Sequence, residues 1–303
     1  MKSILITGGA GLLAINWALA VRERYKVVLG VHLRHIEISG VDTRYLDLDS
    51  KDRLLAQLDE IQPDLVVHTA GMTSVDECER RPAIARYANV TIAENVAQAC
   101  SHLQYPLVHI STDHLFTGDM KMVDEMHPPK PRNVYGRTKA EAECRVLDSH
   151  SDALVIRTNF FGWGPSYRRS FSDAIVDGLR ARKMLNLYRD VYFTPILIKT
   201  AVDVVHELLD KKAGGIFNVV GSDRISKYEF GLRIAHVFGL DSKFIIPTLL
   251  RDTESYVDRP LDMSLSNLKA KILLGKEIGG TDIQIPQLRQ QELDGNTLEV
   301  LKL

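Results

Sequence analysis

Tyr135-Gly136-Arg137-Thr138-Lys139 sets a phenol and an ammonium four residues apart. On a helix, positions i and i+4 share one face, so the two groups can meet. An ammonium beside a phenol favours the phenolate and draws the tyrosine pKa down toward working pH. A tyrosine tuned in this way can donate its proton to a carbonyl oxygen while a hydride arrives at the carbonyl carbon. Tyr-x-x-x-Lys by itself recurs by chance. It gains weight from Ser111-Thr112-Asp113, which follows the apolar run Pro106–Ile110 and offers a hydroxyl to the same oxygen.

Hydride chemistry needs a cofactor, and the N-terminus has a turn that suits one. Thr7-Gly8-Gly9-Ala10-Gly11-Leu12-Leu13-Ala14 lies between the apolar run Ile4–Ile6 and a helical stretch near Leu12–Arg24. Glycine lets the backbone approach a pyrophosphate, and the helix that opens at Leu12 and Leu13 supplies N–H groups and a partial positive charge. Gly8 and Gly11 keep the dinucleotide spacing. Ala14 replaces the third glycine, at a position that concerns only helix–strand packing. The acidic residue that would bind the ribose 2′-OH of NAD is missing after the second apolar run, which ends Val31-His32-Leu33-Arg34-His35. Arg34 could meet a 2′-phosphate there, or belong to a solvated basic loop. NADPH is therefore the expected cofactor, with NADH as the alternative.

The elements that must carry these groups alternate. Strand-like runs at 4–6, 27–29, 65–67, 106–110, 153–156 and 216–220 are separated by helical patterns near 12–24, 54–61, 83–103 and 135–147. This rhythm, with apolar runs that do not alternate, predicts a doubly wound parallel α/β (Rossmann) sheet covered on both faces. Past Phe160 the rhythm loosens. Helices are expected at 170–183, 201–209 and 226–238, and the polar tail after Gly279 carries no firm element. We expect a dinucleotide-binding domain at 1–158 and a smaller, interleaved C-terminal substrate-binding lobe at 159–303, with 200–220 able to rejoin the first.

Composition removes several classes. The 303 residues are 45% hydrophobic and 25% charged, enough for a sizeable core and against general disorder. A net charge of -1 gives no global field for nucleic acid or a membrane surface. No apolar run nears the roughly 20 residues of a membrane span, and the N-terminus lacks the apolar stretch of a signal peptide. Cys78, Cys100 and Cys144 form no disulfide framework and read as small buried or half-buried thiols. A cytoplasmic protein is expected. The ten histidines show no metal spacing, and His68 and His109 read as satisfied core or cleft residues. Arg168-Arg169 and Arg180-Ala181-Arg182-Lys183 read as solvated helix faces, or as part of an anionic pocket.

With these motifs in order, the sequence resembles the extended short-chain dehydrogenases/reductases, and within them the dTDP-4-dehydrorhamnose reductase family. Besides Thr7–Gly11 and Tyr135–Lys139, the resemblance rests on Asp47-Leu48-Asp49, His68–Asp76, Tyr87-Ala88-Asn89-Val90, Ser111–Phe116, Arg157-Thr158 and Arg259–Ser264. It covers about residues 3–275. It implies that Tyr135 is the proton donor, that Lys139 holds the nicotinamide ribose, and that Thr112 binds the substrate carbonyl. Asp47 and Leu48 would flank the adenine, and Thr69, Ala70 and Gly71 would line the cofactor cleft. Thr73, Val75, Asn159 and Phe160 would face the sugar, and Arg259 the diphosphate, which its planar fork suits. Phe160 stands where the family often has tryptophan. His114 replaces the acidic residue of related dehydratases, which argues against elimination.

The expected activity is NADPH-dependent reduction of a nucleotide-linked 4-keto-6-deoxysugar, by a protein with no metal and with a homodimer as an allowed assembly. Two alternatives stay open. One is an epimerase or reductase of another nucleotide sugar. The other is a non-catalytic regulatory subunit resembling the methionine adenosyltransferase β subunit.

Overall fold

The computed structural model describes residues 1–253, 257–295 and 297–303. The chain forms two compact units of nearly equal length. The first takes Met1–Leu115, Pro129–Arg157 and Lys212–Phe217; the second takes Phe116–Pro128, Thr158–Lys211 and Asn218–Leu303.

The first unit is built from β1 (Ser3–Thr7), α1 (Leu12–Val21), β2 (Lys26–Val31), β3 (Val41–Tyr45), α2 (Lys51–Ile61), β4 (Leu65–His68), α3 (Ile92–Leu103), β5 (Leu107–Ile110), α4 (Val134–Ser149), β6 (Leu154–Arg157) and β7 (Gly215–Asn218). Its sheet has the order β7-β6-β5-β4-β1-β2-β3, and the pairs among β1 to β6 are parallel. The chain walks outward from β1 to β3 and then crosses back to place β4 on the other side of β1. Right-handed crossovers therefore put α1 and α2 on opposite faces. The connections that leave the carboxyl ends of β1 and β4 run to opposite sides at this reversal, where open α/β sheets leave a crevice.

One face buries the register row Leu5, Val66 and Leu107. Leu54 and Leu58 of α2, Val96, Ala97 and Cys100 of α3, and Ala142 and Val146 of α4 pack on it. The apolar stripes of these helices repeat at three and four residues because only one side of each meets the sheet.

Two sequence expectations change. β3 has no apolar run. Its sequence Val-Asp-Thr-Arg-Tyr is half-exposed at the sheet edge, where pairing with β2 suffices to hold it. The long helix expected over 83–103 is instead a short helix at Pro82–Arg86, a π-helical turn at Tyr87–Thr91, and α3. A π turn accommodates an extra residue within a helix and is frequent at functional sites.

The second unit contains α5 (Phe171–Arg180), α6 (Ile198–Asp210), α7 (Lys227–Phe238) and α8 (Thr281–Leu293). Its core joins Phe161, Trp163, Phe193 and Phe230 to Ile285 and Leu288 of α8. The polar tail thus holds a helix, because two apolar residues one turn apart are enough to anchor it. Capping boxes Ser170/Asp173 and Ser226/Glu229 start α5 and α7. Among the described residues, no helix is long and apolar enough to cross a membrane.

Candidate active site

Sheet register sets the floor of the site. Thr7, His68 and His109 are partners across β1, β4 and β5. They continue the row Leu5–Val66–Leu107 one pleat toward the carboxyl ends, on the same face. His68 Nδ1 lies 2.8 Å from Thr7 Oγ1. The two imidazoles stack with centroids 5.4 Å apart.

α4 crosses this row. Asn133 caps it by accepting a hydrogen bond from the Gly136 amide at 2.9 Å, and Glu79 accepts one from the Val134 amide at 2.9 Å. A side chain at Gly136 would collide with the carbonyl oxygen of His114, so glycine lets the start of α4 sit against the 112–114 loop. Tyr135 and Lys139 are both buried on this helix. The ring of His114 meets that of Tyr135 edge-on at 5.6 Å. Thr112 is buried, and its hydroxyl accepts from the His114 amide at 3.3 Å.

Lys139 Nζ donates to the Ile110 carbonyl at 2.6 Å and lies 3.3 Å from His109 Nε2. Burial pulls the lysine down to about 8, against the opposing pull of Glu143. Glu143 sits one helical turn further on. It accepts from Ser111 at 2.6 Å and from Arg157, whose Nη2 lies 2.7 Å from Oε2. Asn89, delivered by the π turn, bonds both backbone groups of Met72 and donates to Thr138 on α4 at 3.0 Å. It ties the loop after β4 to the tyrosine–lysine helix.

The two histidines were expected to be satisfied core or cleft residues, and this holds only in part. His68 Nε2 and His109 Nδ1 are buried without hydrogen-bond partners. Burial, with the charge of Lys139 second, lowers His68 to about 3 and His109 well below the ordinary histidine value. Between pH 6.5 and 3 the unfolded chain therefore binds a proton at position 68 that the folded chain refuses. Stability should fall as pH drops through that window. By pH 5 the loss from His68 should be about 2 kcal/mol. Denaturation midpoints at pH 7 and pH 5 test this, and His68→Asn should shrink the difference.

The glycine turn sits beside this floor. Gly8 has φ +67°, and a Cβ there would come within 2.8 Å of the Ala70 backbone. The Gly9 amide donates to the Gly30 carbonyl, and the Gly11 amide to the Gly8 carbonyl. Gly11 caps α1 with no side chain, so the first amides of the helix, Leu12 and Leu13 included, meet no capping group. Thr69 Oγ1 donates to the Thr7 carbonyl at 2.7 Å, holding Thr69-Ala70-Gly71 next to the turn. Arg34 is exposed on the loop after β2.

Asp47 accepts from the amides of Asp49 and Ser50 and from Arg53, contacts that hold its carboxyl below the usual range. Asn95 donates to the Leu48 carbonyl. Thr73 is exposed and Val75 buried at the start of the helix Val75–Arg80. Asn159, Phe160 and Arg259 belong to the second unit, all half-buried, and the carbonyl of Asn159 accepts from the Ile196 amide. Arg169 pairs with Asp177 and Arg180 with Glu292, so these basic residues serve packing within that unit. Among the described residues no cluster of three or more His, Cys, Asp or Glu could hold a metal.

Sequence reasoning gave Asn89, Glu143 and Arg157 no role. Glu143 was accessible to it, since it repeats the four-residue spacing of Tyr135 and Lys139.

A doubly wound sheet with a glycine turn at its switch point and a tyrosine–lysine helix over its carboxyl ends defines an extended short-chain dehydrogenase/reductase. The model of the RmlD substrate binding domain family matches residues 1–287, and the chain belongs to this family of sugar-nucleotide reductases. It is 30% identical over 276 residues to the probable low-salt glycan biosynthesis reductase Agl14 of Haloferax volcanii, covering 88% of this chain and 91% of that one. It is 27% identical over 253 residues to methionine adenosyltransferase 2 subunit beta of Xenopus laevis, covering 81% and 75%. A solved structure of a hypothetical dTDP-4-dehydrorhamnose reductase from Sulfolobus tokodaii superposes with a TM-score of 0.80 at 29% identity, covering 92% and 97%.

Proposed function

We propose that this protein reduces a nucleotide-linked 4-keto-6-deoxysugar, such as dTDP-4-dehydrorhamnose, using NADPH. The observation that carries the reading is the buried Tyr135–Lys139 pair on one face of α4, where burial pulls the lysine down to about 8. The close packing at Gly8 and the uncapped start of α1 suit a pyrophosphate, which the turn amides would hold. A bound reduced nicotinamide supplies the hydride. Lys139 holds its ribose, Tyr135 gives a proton to the carbonyl oxygen, and Thr112 fixes that oxygen. Asp47 and Leu48 flank the adenine through a loop that Arg53 and Asn95 hold in place. Thr73, Val75, Asn159 and Phe160 take the sugar, and Arg259 the diphosphate.

The test is a panel of nucleotide-linked keto-sugars with NADPH, followed at the nicotinamide absorbance band. The conjugate should far outperform the free keto-sugar, because remote diphosphate binding orients the reacting carbon. The likeness to methionine adenosyltransferase 2 subunit beta supports a second reading, a non-catalytic partner subunit. No turnover across the panel, with a stoichiometric protein partner co-purifying, would favour that one.

Cofactor choice rests on Arg34. Arg34→Ala should weaken NADPH binding by about 1.5–3 kcal/mol, one charge-assisted contact, and leave NADH nearly unchanged. Titration calorimetry with both cofactors checks this; equal losses would remove Arg34 from the 2′-phosphate site.

A further inference from the structure

His109 lies buried against Lys139, and the reduction mechanism gives it no task. Its place follows from the sheet. β5 delivers it in register with His68, and the two rings stack over the row that begins at Thr7. Both rings are fully buried. Lys139 Nζ reaches two acceptors, the Ile110 carbonyl at 2.6 Å and His109 Nε2 at 3.3 Å.

An ammonium in this bond has only protons to give, so His109 must accept through Nε2 and carry its own proton on Nδ1. That leaves the Nδ1 proton buried without a partner. An unpaired buried donor costs free energy, and the alternative tautomer would leave the ammonium facing an N–H. The bond to Lys139 therefore selects the tautomer.

We infer that His109 is a positioning residue for Lys139: its neutral imidazole holds the lysine nitrogen through Nε2 and keeps the buried amine exchangeable between charged and neutral forms. Three kinds of side chain could stand there. A carboxylate would lock the ammonium in its charged form. An apolar group would leave it with the Ile110 carbonyl alone, and desolvation would drive it neutral. An imidazole that stays uncharged supplies an acceptor without a counter-charge. On its own helix Lys139 has two titratable neighbours one turn away, Tyr135 and Glu143. Glu143 on its own helix favours the charged form. His109 on β5 and, behind it, His68 on β4 are neutral because burial depresses them. Glu143 is already held by Arg157 and Ser111. A reductase consumes one proton per turnover through its tyrosine, and a neighbouring amine that titrates near working pH can return it. That use rests on the reading proposed above; the control of the lysine's ionisation does not.

The test reads the lysine directly, in full-length protein without cofactor. Protein labelled with carbon-13 at the lysine ε carbon is titrated by NMR, and the Lys139 signal is assigned by its loss in Lys139→Met. Wild-type Lys139 should titrate near pH 8. His109→Gln, whose amide oxygen takes the place of Nε2, should stay within about half a pH unit of that. His109→Leu should titrate at least about one unit lower, a tenfold change in the equilibrium. His109→Asn, whose shorter amide replaces Nδ1 and leaves Nζ unreached, should behave like His109→Leu and serves if the leucine variant does not fold. Far-ultraviolet dichroism confirms the fold of each.

Equal titration in wild type, Gln and Asn or Leu variants would overturn the inference, whatever the protein turns over. Where a keto-sugar conjugate is reduced, the alkaline limb of kcat/KM should move with the lysine, down in Asn and Leu and restored in Gln. A lysine shift without turnover of any conjugate would sink the proposed reaction and leave the role of His109 standing.

Discussion

Tyr135→Phe should lower turnover by at least about 100-fold, the lower range for loss of a general acid. The substitution removes one hydroxyl from a buried ring and leaves the ring's edge contact with His114. The cap at Asn133 and both contacts of Lys139 do not involve that hydroxyl. Folding and NADPH affinity should therefore persist while the rate collapses, and KM should move far less than kcat. Steady-state kinetics beside a cofactor titration separate the two. A variant that turns over at close to the wild-type rate would exclude Tyr135 as the proton donor.

Glu143→Ala should destabilise the first unit strongly. Arg157 and Glu143 form a buried pair, with side chains 1% and 3% exposed, and Ser111 completes the shell of the carboxylate. Removing the carboxylate takes from a buried guanidinium the charge that accepts from its Nε and Nη2, at a cost of about 3–5 kcal/mol. Replacing both partners, as in Glu143→Leu with Arg157→Met, should cost less than the single change, because the buried guanidinium goes with its carboxylate. Urea unfolding followed by Trp17 fluorescence in a Trp163→Phe background reports on this unit alone, since Trp17 and Trp163 are the two tryptophans and lie in different units. A loss under about 1 kcal/mol for Glu143→Ala would mean that solvent reaches Arg157. The variant should also lower the pKa of Lys139, which loses the favourable charge of Glu143.

The sequence by itself was enough for whatever depends on short-range pattern. Apolar runs of three to five residues marked β1, β2, β4, β5 and β6, because strands buried on both faces need no alternation. Gly8 and Gly11 marked the turn by their spacing; at Gly8 the positive φ and the Ala70 backbone leave no room for a side chain, and at Gly11 a Cβ would press on the Gly8 carbonyl. Tyr135 and Lys139 could be paired at sight, since a helix puts i and i+4 together whatever surrounds it. β3 escaped because an edge strand can be polar and owes its conformation to its neighbour. The break at Tyr87–Thr91 escaped because the chain is helical on both sides of it, and its product, Asn89 bonded to Met72 and Thr138, joins residues up to 49 positions apart. The stacked histidines escaped for the same reason. His68 and His109 read as separate core or cleft residues until the parallel register of β4 and β5 sets them side by side, and only the crossing of α4 brings Lys139 to His109. Register and helix crossing are set by the summed packing of many side chains, and that long-range sum decides which groups share a charge, a tautomer and a pKa.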